Sequence, residues 1–323
     1  MEHRNRQRTP RPTPGLLIAA LASVAVAACG GGSDRANQLL RQTFAGSHGI
    51  ESGKLGVRLT ATPAGVSGRR GGITVSLAGP FQSLGPGRLP ASSFTVSVAV
   101  MATRAAATIT STGSAGYITV EGQSYKLPQA TFQRLESTFA RLASAPGRRH
   151  GSGTLGQLGI HPERWLSNPQ IEGREEIEGV STTHIRARIE VAALLADLNT
   201  FLQRASASGI ASAGALSGGI ATADRRHITG EVKTATVNVW TGVADRTLRR
   251  LEIDLRVPVS GQLSTLLGRA AAVALTMQYD DLNQPQSITA PARLLPYSRF
   301  QAKLPALVQN VGSGLTGSAT TGG

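Results

Sequence analysis

The chain predicts an α+β fold built on an antiparallel sheet, and three observations predict it. Short runs alternate apolar and polar residues, giving strands with one wet face. Gly, Ser and Pro turns separate these runs at spacings of about 8–12 residues, which argues against parallel βαβ winding. Three longer segments carry apolar stripes at helical period and need a surface to cover.

The first element is a leader. Arg4, Arg6, Arg8 and Arg11 form a basic region, followed by 14 mostly apolar residues, Gly15–Ala28. That length suits a secretory signal and falls short of the ~20 residues that span a bilayer. It ends at Cys29, the only cysteine among 323 residues. Val26-Ala27-Ala28-Cys29 resembles the bacterial lipobox, whose thiol takes a diacylglyceryl group by thioether. A signal peptidase then cuts before the cysteine and the new amine is often acylated, with palmitate as the expected chain. Residues 1–28 are therefore expected to be a signal peptide and Cys29 a lipidated first residue on the extracytoplasmic side of the cell membrane. The competing reading takes Ala25-Val26-Ala27 as an A-x-A site whose cleavage releases a soluble secreted protein. Residues 29–35, which include Gly30-Gly31-Gly32-Ser33-Asp34, favour anchoring as a flexible tether. Two or three acyl chains, at ~0.8 kcal/mol per buried CH₂, hold a protein durably.

The body of the chain, 36–307, is expected to be one domain, with 308–323 a disordered tail. Leu39, Leu40 and Phe44 share one face of a helix over 36–46, after the candidate cap Asp34. Strand patterns follow at Lys54–Thr60, Gly72–Leu77, Phe94–Val100, Thr108–Thr110, Tyr117–Val120 and Ser124–Leu127. Phe132, Leu135, Phe139 and Leu142 mark a helix over 129–144, and residues 160–167 suggest a short helix. The strand Thr183–Ile189 runs into a helix over 190–204 bearing Val191, Leu194, Leu195, Leu198, Phe201 and Leu202. Ser206–Ala223, rich in Ala, Gly and Ser, is expected to be a surface insertion. Glu231–Trp240 and Leu248–Val257 form a hairpin, and Val273–Tyr279 a further strand that turns at Asn283-Gln284-Pro285 into Gln286–Thr289.

Charge and chemistry narrow the function. Removing the leader takes away four arginines and Glu2, leaving a net charge of +11 from the whole chain's +14. Only Lys54, Lys126, Lys233 and Lys303 of the 33 basic residues are lysine, as GC-rich codon usage produces. With no second cysteine, stability comes from a core rather than disulfides. The basic surface suits anionic headgroups or acidic wall polymers, screened over ~10 Å. Arg69-Arg70, Arg148-Arg149, Arg225-Arg226 and Arg249-Arg250 are scattered and lack interleaved aromatics, which argues against nucleic acid.

No motif nominates a catalytic residue, a metal site or a cofactor. Gly151-Ser152-Gly153-Thr154-Leu155-Gly156 fits G-x-G-x-x-G, but no buried strand precedes it, so it reads as a loop. Glu172, Glu175, Glu176 and Glu178 read as a solvated hairpin rather than an acid–base pair. His150 and His161 are too far apart in sequence to suggest metal ligation.

Three stretches carry a family resemblance. Glu172–Asn199, with Glu178-Gly179-Val180-Ser181-Thr182-Thr183-His184 running into an amphipathic helix, is similar to the LppX/LprG-type lipoproteins of the LolA-like superfamily. Val239-Trp240-Thr241-Gly242 through Ile253 looks like that family's Trp-bearing hairpin, and Tyr279–Pro291 like its last hairpin. The resemblance implies a strongly curved antiparallel half-barrel closed by amphipathic helices, with a lipid's acyl chains held between sheet and helices. It further implies a membrane lipid as ligand; a transporter or envelope component is expected as a further partner, and no enzymatic activity is expected. The lining residues that fit are Val57, Leu59, Val75, Leu77, Val96, Val98, Ile118 and Val120 from strands, with Phe132, Phe139, Leu195 and Leu198 from helices acting as a lid. Patterning alone leaves open a filled core, which would make the chain an envelope interaction protein without ligand.

Overall fold

The computed structural model describes residues 31–45, 49–64, 72–101, 103–144, 160–207, 219–232, 235–259 and 263–316. Eleven strands form one curved antiparallel sheet made of two meanders. The first comprises β1 (Ser52–Pro63), β2 (Ile73–Gln82), β3 (Ala91–Val100), β4 (Thr103–Ser111), β5 (Gly116–Val120) and β6 (Gln123–Lys126). The second comprises β7 (Leu166–Ile177), β8 (Val180–Ile189), β9 (Ala235–Gly242), β10 (Leu248–Pro258) and β11 (Ala270–Asp280). Their order is β6-β5-β4-β3-β2-β1-β11-β10-β9-β8-β7, so the first and last strands meet at the centre. Glu121-Gly122 (φ 51° and 73°) and Glu178-Gly179 (φ 48° and 76°) close tight hairpins. Two successive positive φ values match the right-handed twist of the flanking strands.

Register turns the alternating sequence into two faces. One row runs Val120–Ala107–Val96–Leu77–Val57–Met277–Leu251–Val239–Ile185 across the sheet. The next runs Ala105–Val98–Val75–Leu59–Leu275–Ile253–Val237–Ala187. The opposite face is polar, with hydroxyl pairs such as Ser76–Ser97 at 2.7 Å and Thr95–Thr108 at 2.9 Å between strands.

Helices cover the apolar face unevenly. Over β8–β10, α1 (Gly31–Ala45) and α3 (Val191–Ala207) join a core of Leu39, Leu40, Ile185, Val237, Val239, Leu251 and Ile253, all at most 8 % exposed. Ile228 of α4 (Thr222–Glu231) and Trp165, just after a 3₁₀ turn at Pro162–Arg164, complete it. Over β4–β6, α6 (Tyr297–Thr316) sets Phe300 against Val120 and Tyr125, and Lys303 reaches Glu121 at 3.1 Å. The helix α2 (Gln129–Ser144) presses Phe132 onto Leu127 and Gly116, where a Cβ would lie 3.0 Å from the ring. A short helix, α5 (Leu263–Leu267), sits beside β1 and β11.

Four expectations change. The helix α1 begins at Gly31, so most of the expected tether at 29–35 is helical. Its small residues at Gly31 and Gly32 are tolerated because Ala36, Leu39 and Leu40 are fixed by the core. The expected disordered tail from 308 is helical as far as Thr316, because α6 has the sheet to pack on. Gln286–Thr289 forms no strand: β11 is central, with both edges taken by β1 and β10, so no partner edge is left for a hairpin. Finally, Thr222–Glu231 is a helix that the sequence reading did not contain, while residues 208–218 of the expected insertion lie outside the described residues.

Candidate functional site

All eight strand residues nominated as a lining lie on the apolar face, as the register requires. Their burial differs from that of the neighbouring core. Ile185, Val237, Val239, Leu251 and Ile253 are 0–5 % exposed, whereas Val57, Val75, Leu77, Val96, Val98 and Ile118 are half-buried. Leu59 is 40 % and Ile109 49 % exposed. The middle of the sheet, β1–β3 with β11, therefore presents a branched aliphatic strip between the part under α6 and the part under α1 and α3. Phe81 and Tyr279, edge to face at 6.4 Å, stand at one end of it, and burial pushes the Tyr279 hydroxyl pKa up. This strip has no charged side chain of its own, since Arg58, Thr60, Ser76 and Ser97 point to the other face.

The nominated helix residues sit elsewhere. Phe132 and Phe139 line a separate apolar cleft of about 200 Å³ with Ile109, Leu127 and Leu135 at the β4–β5 end. On α3 it is Leu194 that packs into the core, while Leu195 is buried outside that cluster and Leu198 is 39 % exposed. Cys29, the G-x-G-x-x-G stretch and His150 lie outside the described residues.

The polar face carries a network that sequence reasoning missed. His184 stacks on Trp240 with ring centroids 4.4 Å apart and planes at 10°. Glu175 accepts the Trp240 indole N–H at 2.8 Å and meets His184 Nδ1 at 2.8 Å. Arg250 lies over the indole at 5.6 Å and donates to Gln278 at 2.8 Å. The indole N–H and the nearby His184 hold the Glu175 carboxyl below the usual carboxylate range, against a smaller opposing effect of burial. Five adjacent strands, β7 to β11, are joined this way. The only available signal was alternation, which puts Glu175, His184, Trp240 and Arg250 on the wet side of their strands. Its partners bond one another across neighbouring strands, the geometry of a cross-strand staple.

Among the described residues, no three of His, Cys, Asp and Glu gather in a way that would hold a metal ion. Among the same residues, no helix is long and apolar enough to cross a membrane.

No protein-family model matches the chain, and no curated protein does. Solved structures do. LprF from Mycobacterium bovis aligns over 81 % of this chain and 99 % of its own, at 14 % identity and a TM-score of 0.39. The lipoprotein LppX from Mycobacterium tuberculosis aligns over 79 % and 99 %, at 13 % identity and a TM-score of 0.36. A LolA-superfamily protein from Nitrosomonas europaea aligns over 78 % and 94 %, at 11 % identity and a TM-score of 0.17.

Proposed function

We propose that the chain is an exported lipoprotein, anchored through Cys29, that holds the acyl chains of a membrane lipid against the middle of its sheet. The protein carries or presents that lipid in the cell envelope. The observation behind this reading is the uneven cover: one continuous apolar face is packed dry over β8–β10 yet half-open over β1–β3. Sealed cores do not leave Leu59 at 40 % exposure in the centre of a sheet. A surface of Val, Leu and Ala suits flexible acyl chains, which gain ~0.8 kcal/mol per buried CH₂ and need few directed bonds. On this reading the sheet is a half-barrel, the helices are its cover, and Val57, Leu59, Val75, Leu77, Val96 and Val98 are the contact surface. On this reading the protein is a carrier and not an enzyme.

A second reading is favoured by the dry packing over β8–β10: an envelope interaction protein that uses its basic surface and holds no ligand. Native mass spectrometry of the Cys29→Ala protein, followed by solvent extraction, separates the two. A discrete co-purifying lipid mass is the expected result. An apo mass that also fails to take up added phospholipid overturns the carrier reading in favour of the second.

A further inference from the structure

A second concavity lies at the edge of the sheet, under α1. Its volume is about 460 Å³, within the range of small-molecule sites. Three arginines line it from three separate elements: Arg35 of α1, Arg174 of β7, and Arg246 in the turn between β9 and β10. Gln38, Gln42 and Thr183 add neutral polar groups. Among the described residues no carboxylate lines it, and none of the three guanidinium groups belongs to an ion pair.

The carboxylates nearest in sequence are engaged or placed elsewhere. Asp245, beside Arg246, is paired with Arg249 and accepts the Thr247 N–H at 3.1 Å. Glu175, beside Arg174, is held by Trp240 and His184 on the polar face. Asp34, beside Arg35, stands in the first turn of α1, where the helix dipole favours an anion. Three like charges around one cavity repel each other, and an anion seated between them removes that repulsion. The guanidinium fork matches the paired oxygens of a phosphate, and the glutamines suit hydroxyl groups beside it.

Position supplies the second argument. The helix α1 starts at Gly31, two residues after Cys29, and Arg35 is four residues further. At ~1.5 Å per helical residue and at most ~3.6 Å per extended one, Arg35 lies within about 13 Å of Cys29. We propose that this pocket binds the phosphate of an anionic phospholipid headgroup in the leaflet that receives the anchor. The membrane source rests on the anchoring reading above; the pocket's choice of a phosphate does not.

The test uses the mature chain from residue 29 with Cys29→Ala, titrated with phosphatidylcholine vesicles with and without phosphatidylglycerol. One variant carries Arg35→Gln, Arg174→Gln and Arg246→Gln. A control removes the same charge from the exposed polar face through Arg58→Gln, Arg104→Gln and Arg256→Gln. Each arginine at an anionic surface is worth about fivefold in affinity, so the pocket variant is expected to bind phosphatidylglycerol vesicles roughly 100-fold more weakly. The control is expected to stay within about threefold, its charges lying on the opposite face of the sheet from the pocket. Equal loss in both variants means a diffuse basic surface and overturns the proposal, as does unchanged binding in the pocket variant. Calorimetry with inorganic phosphate and glycerol phosphate forms the other arm. Saturation by free phosphate as tight as that by vesicles overturns the membrane source. Failure of anchoring shows separately, as Cys29→Ala staying on the membrane in cells, and leaves the vesicle comparison intact.

Discussion

Leu59 and Ile253 stand in one cross-strand row, joined through Leu275, and differ only in cover: 40 % against 5 % exposed. Placing Asp at each position therefore isolates what the cover means. A fully buried leucine is worth about 1.5–3 kcal/mol, so Leu59→Asp forfeits the covered part, about 1–2 kcal/mol, and its carboxylate keeps its water. Ile253→Asp loses a similar transfer energy and adds the cost of an unpaired buried carboxyl, several kcal/mol more. Its total of roughly 5 kcal/mol or above rivals the stability of a whole domain.

Lipid uptake is expected to rank the variants differently. An acyl chain crossing Leu59→Asp loses contact for two or three methylenes, about 2 kcal/mol, or roughly 30-fold in affinity. Urea unfolding, followed through the two buried tryptophans Trp165 and Trp240, reads stability, and a fluorescent fatty acid reads uptake. Leu59→Asp is expected to fold and to load poorly. Loss of more than ~4 kcal/mol of stability at Leu59 would mean that the strip is sealed core. Normal folding with unchanged uptake would mean that lipid, if bound, lies elsewhere.

Two further outcomes are expected. Cys29→Ala should move the protein from the membrane pellet to the soluble fraction on fractionation, and retention in the pellet refutes anchoring. Glu175 has a folded pKa below its ordinary 4.5, so its stabilising effect is present above that value and is lost as pH falls through the depressed one. Urea midpoints taken from about pH 6 to about pH 3 should therefore converge between the natural protein and Glu175→Gln, and a constant gap refutes the assignment.

Strand alternation was legible because it is a local property: Val57, Leu77 and Val96 each occupy the apolar phase of their own strand, and register only had to align the phases. The helices over 129–144 and 190–204 were legible for the same reason, and match Gln129–Ser144 and Val191–Ala207 closely. The last hairpin was misread because Asn283-Gln284-Pro285 has good turn chemistry, while the absence of a free edge beside β11 is set by strand order. The helix α6 was hidden by Pro305 and by a Gly/Ser-rich second half, both poor helix signals that packing overrides. Cover was the least legible of all. Leu59 and Ile253 have the same pattern, and what separates them is which helix lies above, which neither strand's own residues encode.

The uneven cover also assigns unequal mobility to the helices. The helix α1 is bound into the core through Ala36, Leu39 and Leu40, all at most 8 % exposed, whereas α6 is held chiefly by Phe300 against Tyr125, with rings 5.6 Å apart. Leu307 and Tyr297 add partly buried contacts to the same small cluster, and Lys303 to Glu121 and Gln123 is an exposed contact of the kind that contributes little. Pro305 removes one internal hydrogen bond, and Leu304 is 44 % exposed. Access to the strip is therefore expected to come by displacement of α6. Truncating a buried phenylalanine costs about 3–5 kcal/mol, and for Phe300→Ala nearly all of it should fall on α6. Hydrogen exchange in 297–307 should then rise by 100-fold or more, while Val237, Val239 and Leu251 keep their protection. Loss of protection in both regions together would make α6 part of the cooperative core, and the strip would have to be reached from the α1 side instead.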